Sequence, residues 1–89
     1  MKHADDRALD QLAALLTDIR LVEGLKEKKR GVFYRKAQAF LHFHEDPAGL
    51  FADLRHASDW ERFPVNTPAE QAQFLARLTI ATSAKRLKE

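Results

Sequence analysis

Apolar residues near the start of the chain recur every three or four positions, which is the spacing of one face of an α-helix. They lie in the segment 9–22 and are mostly leucine, isoleucine and valine. Asp5 stands where the helix dipole favours negative charge, and Gly24 is of a residue type that commonly ends helices. The pattern therefore predicts a first helix from Asp5 to about Glu23.

A second helix has a start signal of its own. Thr67 is a favoured N-cap, Pro68 suits the first helical position, and Glu70 follows Thr67 by three residues, which together make a capping box. Apolar residues then return at helical spacing. The inner face of this helix would hold Ala72, Leu75, Leu78, Ala81 and Thr82, with Phe74 at its edge.

Between the two helices, short apolar runs alternate with turn residues, as they do in antiparallel sheets. The runs predict four strands, at about Val32–Arg35, Ala39–Glu45, Leu50–Arg55 and Glu61–Val65. Pro64 confines the last strand to an edge or makes it irregular, because proline has no N–H to give to a neighbour. Trp60 falls in the loop before that strand, where it would cap the end of the core.

The order of these elements is helix, four-stranded antiparallel meander, helix. This order predicts an α+β fold in which both helices cover one face of the sheet, and in which residues 1–89 form a single domain.

The register of the two central strands decides which side chains point away from the core. Asp46, proline, alanine and glycine suit a four-residue turn that places Glu45 opposite Leu50 and His42 opposite Asp53. One face of the hairpin is then entirely apolar and consists of Leu41, Phe43, Leu50, Ala52 and Leu54. A bulge of one residue would instead put Asp46 opposite Leu50 and mix polar with apolar side chains, so we prefer the first register.

The outer face of this hairpin gathers the candidate functional residues. The preferred register predicts a binding surface made of Tyr34, Phe40, His42, His44, Phe51, Asp53 and Arg55. Exposed aromatic residues beside histidine and arginine are typical of surfaces that contact a partner. His42 and Asp53 would have Cβ atoms about 5 Å apart, and a carboxylate at that distance would raise the pKa of the histidine.

The composition limits the classes of function. The chain has 89 residues, of which 45% are hydrophobic and 31% are charged, as in a small globular protein. It has no cysteine, so disulfides, thiolate metal sites and cysteine nucleophiles are excluded. No apolar run reaches the roughly 20 residues of a membrane span or resembles a signal peptide. We therefore expect a soluble, cytoplasmic protein without a membrane partner.

Positive charge is unevenly distributed along the chain, although the net charge is only +2. The cluster consists of Lys26, Lys28, Lys29 and Arg30. Clustered basic residues attract phosphate backbones, which makes a nucleic-acid-binding accessory domain the alternative function. A solvated loop would explain the same cluster.

The sequence predicts no catalytic residue and no cofactor. Ser58 and Thr79 stand alone, without a base and an orienting group at recognisable spacing. Two histidines and an aspartate can bind a transition metal, but no fourth ligand is apparent beside His42, His44 and Asp53. A metal site or an enzyme based on them is the least favoured alternative. The leading expectation is a module that binds another protein or forms a homodimer through the outer face.

The segment from Gly31 to Arg55, GVFYRKAQAFLHFHEDPAGLFADLR, resembles a family of small, uncharacterised bacterial proteins. The resemblance continues through Arg62-Phe-Pro-Val and the second helix. It implies a bacterial source and, because no activity is known for that family, assigns no catalytic residue. The helix–sheet–helix layout is also similar to frataxin-like and double-wing proteins, in the order of elements alone.

Overall fold

A computed structural model of the chain describes residues 2–87, which form an antiparallel sheet with helices packed against it. The elements in chain order are β1 (Lys2–His3), α1 (Asp6–Gln11), α2 (Ala13–Ile19), β2 (Lys26–Lys29), β3 (Val32–Arg35), β4 (Gln38–Asp46), β5 (Gly49–His56), β6 (Asp59–Pro64) and α3 (Pro68–Leu87). The sheet has the order β2-β3-β4-β5-β6, and β1 pairs with β4 outside this path. The α+β class is confirmed, but in the described residues five strands, not four, separate the helices.

The first predicted helix is divided into α1 and α2 at Leu12. The backbone of Leu12 has φ −104° and ψ 15°, and its N–H donates to the carbonyl of Leu9, only three residues back. Leu12 itself is buried, so the apolar face continues across the break. The region predicted as one helix therefore ends with α2 at Ile19 rather than near Glu23. Gly24 lies in the turn that leads to β2 and has a positive φ of 90°.

The start of α3 is as predicted. Thr67 accepts a hydrogen bond from the backbone N–H of Glu70 at 3.1 Å, and Glu70 accepts one from the N–H of Thr67 at 3.3 Å. Phe74 lies at the centre of the buried face rather than at its edge, and Ala72 is exposed. Among residues 2–87, no helix combines the length and apolar character that crossing a membrane requires.

The strand β2 was not predicted, because its sequence has the charged pattern of a loop. It forms one edge of the sheet and pairs with β3 through Lys26 opposite Tyr34 and Lys29 opposite Val32. The predicted basic cluster is therefore mostly an edge strand followed by a turn.

The central hairpin has the predicted register. Glu45 lies opposite Leu50 and His42 lies opposite Asp53, so the bulged alternative is wrong. The aspartate that opens the turn accepts a backbone N–H two residues later at 2.8 Å, as the turn chemistry requires.

One cluster of buried apolar side chains lies between the helices and the sheet. It includes Leu12, Leu16 and Ile19 from the first helices, Phe74 and Leu78 from α3, and Leu41, Phe43, Ala52 and Leu54 from the hairpin. The helices therefore cover the same face of the sheet. The opposite face, called the outer face below, carries His3, His42, His44, Phe51, Asp53, Arg55, Trp60 and Arg62.

Phe40 does not lie on the outer face, and its predicted placement there is wrong. The pairing of β3 with β4 shifts between Phe33, which faces Leu41, and Tyr34, which faces Ala39, so Phe40 falls in a bulge. A bulge interrupts the alternation of side chains along a strand. Phe40 accordingly turns into the core, where only 8% of its surface is exposed.

Candidate functional site

An ion pair with a buried carboxylate lies at the centre of the outer face. Asp53 is opposite Arg62 of β6 and exposes only 4% of its surface. Arg62 donates hydrogen bonds from Nε and Nη2 to the two carboxylate oxygens, at 2.7 and 2.8 Å. Burial opposes ionisation of Asp53, but the hydrogen bonds and positive charge of Arg62 outweigh it and hold the pKa of this carboxyl below its usual value. Asp53 is therefore charged at neutral pH.

Three histidines cluster beside this ion pair. His42 and His44 project from β4, and His3 joins them because β1 pairs with β4 at His44. The rings of His3 and His44 are stacked, with centroids 4.7 Å apart and 7° between their planes. The ring of His42 meets that of His44 edge-on at the same distance. One ring nitrogen of each histidine lies within 4.8 Å of those of the other two.

Two buried ring nitrogens of this histidine cluster form no hydrogen bond with the described residues. Within residues 2–87, the buried Nδ1 atoms of His42 and His44 have no hydrogen-bond partner. Nδ1 of His44 does lie 2.9 Å from Oδ2 of Asp53, a contact that is not a hydrogen bond and that is an ion pair only when the imidazole is protonated. Buried polar atoms in this state call for an explanation, such as a bound ion.

The predicted increase in the pKa of His42 is wrong. Burial removes hydration from the ring and lowers the pKa, and repulsion from a protonated His44 lowers it further. The attraction of Asp53 acts in the opposite direction but is smaller, and the positive charge of Arg62 also lowers the pKa of His42.

Trp60 covers one end of the cluster. The strand β6 begins at Asp59, so Trp60 lies opposite Arg55 on the outer face and not in a loop over the core. Its ring centroid is 4.4 Å from that of His42, and the guanidinium of Arg55 lies 4.5 Å from the indole centroid. With 39% of its surface exposed, Trp60 is available to a partner.

The structure thus groups most of the predicted binding residues and adds three. His42, His44, Phe51, Asp53 and Arg55 lie together with His3, Trp60 and Arg62, which the sequence interpretation missed. Arg62 already lies within the predicted last strand, and only Trp60 needed that strand to start earlier, at Asp59. The position of His3 on this face could not be recognised from the sequence, because a strand of two residues has no detectable periodicity.

Tyr34 lies on β3, where it lines a cavity together with His3. It is half-buried, alternates with the core residue Phe33, and has the Nζ atom of Lys28 5.3 Å from its ring centroid. Tyr34 is thus associated with both the basic edge strand and His3.

The basic cluster at 26–30 is partly neutralised within the chain. Arg30 lies 3.1 Å from a carboxylate oxygen of Asp6 and 2.7 Å from one of Asp10, so it ties the β2–β3 turn to α1. The three lysines of β2 are exposed along the edge of the sheet. Lysines on an edge strand are also a common structural feature of sheets, independent of nucleic acid.

Comparisons of the chain with models of known protein families, with curated proteins and with solved structures found no match. The resemblance to a family of small bacterial proteins stays a prediction. The function is therefore argued from the geometry of the outer face.

Proposed function

We propose that the protein is an interaction module that binds a second copy of its own chain through the outer face. The observation that carries this proposal is the exposed position of Trp60, packed against His42 and Arg55 on a face of the sheet that the helices do not cover. Tryptophan and arginine are the residue types that most often dominate the binding energy of protein interfaces. Their rigid packing also reduces the entropy lost on association.

The charges of the outer face favour a like partner over a nucleic acid. Arg62 is neutralised by Asp53, and Arg55 donates Nε to a backbone carbonyl at 2.6 Å while lying against Trp60. Two copies can therefore approach without strong repulsion between their Arg62 side chains. A phosphate backbone is attracted by uncompensated cations, and the exposed lysines lie on β2 instead.

A sheet face suits a two-fold dimer because the same surface can serve both copies. A chain of 89 residues buries a modest apolar area by itself. Association of the folded chains would add to its stability by mass action.

The test is to measure mass by light scattering and tryptophan emission over a dilution series, in the presence of a chelator. Trp60 is the only tryptophan, so its emission reports on the outer face alone. We expect a dimer whose emission shifts to longer wavelength on dilution, as the indole becomes hydrated. Trp60→Ala should weaken dimerisation by about 2 kcal/mol, which is the threshold of an interface hot spot.

The matched control is Leu21→Ala, which removes another exposed hydrophobic side chain in the turn after α2, where 79% of the residue is exposed. This variant should dimerise like the unmodified chain. A monomer at every concentration, or equal weakening by the two substitutions, would show that the proposal is wrong. Salt-sensitive binding of a labelled oligonucleotide by the monomer would favour the nucleic-acid alternative.

A further inference from the structure

The outer face brings three of the four histidines of the chain to one point. They come from two strands that lie far apart in sequence, and their side chains meet across the pairing of β1 with β4. We propose that His3, His42 and His44 bind a transition-metal dication, with Zn²⁺ as the first candidate. This site goes beyond the proposed dimer, since all three ligands belong to one chain.

The donor chemistry points to this class of metal. Imidazole nitrogen is a preferred ligand of zinc, copper and nickel, whereas magnesium and calcium prefer oxygen. The buried Nδ1 atom of His42 lacks a hydrogen-bond partner within the described residues, whereas that of His44 faces the carboxylate of Asp53, so the His42 ring leaves a polar atom here that an ion can satisfy. The sequence suggested Asp53 as the third ligand, but the structure offers His3 and leaves Asp53 bound to Arg62.

The geometry requires a small contraction of the cluster. The candidate ligand atoms lie within 4.8 Å of one another. Zinc–nitrogen bonds of about 2.0–2.1 Å in a tetrahedral site place two ligands about 3.3 Å apart, so the widest pair must close by about 1.5 Å. His3 can make most of this movement, because it is exposed and lies on a strand of two residues.

The surroundings resemble those of histidine metal sites. Oδ2 of Asp53 lies 2.9 Å from Nδ1 of His44, and Arg62 fixes that carboxylate with two hydrogen bonds. A carboxylate beside a ligating histidine orients its ring and makes it a stronger donor. Trp60 covers His42 on one side, while the exposed His3 leaves the site open to solvent. Three protein ligands and an open side leave one coordination position for water.

Calorimetric titration of the full chain with Zn²⁺ tests this site directly. The chain is prepared without a histidine tag and freed of metal with a chelator. We expect one ion bound per chain. In a parallel titration, Co²⁺ should give the visible absorption of a tetrahedral site and quench the emission of Trp60, whose ring lies 4.4 Å from that of His42.

Substitution of single histidines supplies the matched comparison. His3→Gln and His42→Gln should each weaken Zn²⁺ binding by more than the roughly 10–100-fold effect of losing an outer-shell partner. His56→Gln removes the remaining histidine, which is exposed at the β5–β6 turn, and should bind Zn²⁺ like the unmodified chain.

The outcome is decisive even if His42→Gln fails to fold, because His3 is exposed and its substitution leaves the core intact. Circular dichroism of each metal-free variant checks the fold. Binding of less than one ion per chain, unchanged affinity in His3→Gln, or an equal loss in His56→Gln would overturn the metal site. The dilution series that tests the dimer is run with a chelator and therefore without metal, so the two proposals can fail separately.

Discussion

At the scale of single residues, the Asp53–Arg62 pair shows how unequal burial makes the loss of one partner more destabilising than the loss of the other. The side chain of Asp53 is 5% exposed, whereas that of Arg62 is 47% exposed. If the arginine is lost, a carboxylate remains buried without its main donors. If the aspartate is lost, the arginine can turn to water. Removing the more exposed partner should therefore be the more damaging change.

Denaturation of the metal-free chain by urea at neutral pH can measure this asymmetry. We expect Asp53→Asn to lower the free energy of unfolding by about 1–2 kcal/mol, the cost of weakened hydrogen bonds to a charged group. Arg62→Ala should lower it more. An equal loss in the two variants, or a larger loss in Asp53→Asn, would contradict the role of burial in this pair.

The placement and the pKa of single side chains were also the properties that the sequence predicted least well. Phe40 was placed by simple alternation, but the bulge that reverses it depends on how β3 pairs with β4. The pKa of His42 was predicted from its nearest carboxylate alone. Its actual environment includes Trp60 and His3, which reach it from other strands. Both properties belong to the packed structure and not to the local sequence.

At the scale of elements, the parts with their own local chemistry were predicted well. The central hairpin follows from its turn residues and one apolar face, and α3 follows from its capping box. In contrast, the β3–β4 turn uses Lys36 and Ala37 at positive φ angles of 53° and 67°, which these residue types rarely adopt. Likewise, β2 is too charged to have an apolar strand pattern. Its position is determined by tertiary contacts.

One of those contacts is made by Glu27 of β2. Arg20 donates two hydrogen bonds to its carboxylate, at 2.7 and 2.9 Å, and the backbone N–H of Gly31 donates a third at 3.0 Å. The bonds from Arg20 lower the pKa of Glu27, with a smaller contribution from Gly31. The charged carboxylate thus joins the end of α2 to the β2–β3 turn.

This attachment should be sensitive to pH. Because the pKa of Glu27 is lower in the folded chain, its contribution is present above the unfolded value, near 4.5, and is lost as the pH falls through the folded value. At pH 7, Glu27→Gln should lower the free energy of unfolding by about 0.5–1 kcal/mol, as for other exposed pairs. The difference from the unmodified chain should shrink at acidic pH in parallel denaturation series. A difference in the free energy of unfolding that stays constant with pH would show that the charge of Glu27 does not make this contribution.

At the scale of the whole molecule, a single core holds the sheet and the helices together. Phe74 of α3 is completely buried, with its ring centroid 5.4 Å from that of Phe63 and 6.4 Å from that of Phe43. One helix therefore contacts two strands through the same side chain. Cooperative unfolding of the chain follows from this arrangement.

Truncation of this side chain tests that arrangement. Phe74→Ala should lower the free energy of unfolding by about 3–5 kcal/mol, because it removes buried area and leaves a cavity. Leu21→Ala, at an exposed position, should change it by no more than about 0.5 kcal/mol. Circular dichroism and tryptophan emission should report one common transition. Separate transitions in the unmodified chain would show that α3 and the sheet are independent.

The strands β2 and β6, at the two ends of the main strand order, affect whether the protein can form larger assemblies. Lysines line the strand Lys26–Lys29 at one border, and Pro64, which has no N–H, closes the strand at the other. Such borders discourage a further chain from extending the hydrogen-bonded ladder sideways. Amyloid fibres require that sideways extension to repeat without limit. Two chains that associate through the outer face, in contrast, cover the sheet face that the helices leave open. Association through that face would therefore end at a dimer.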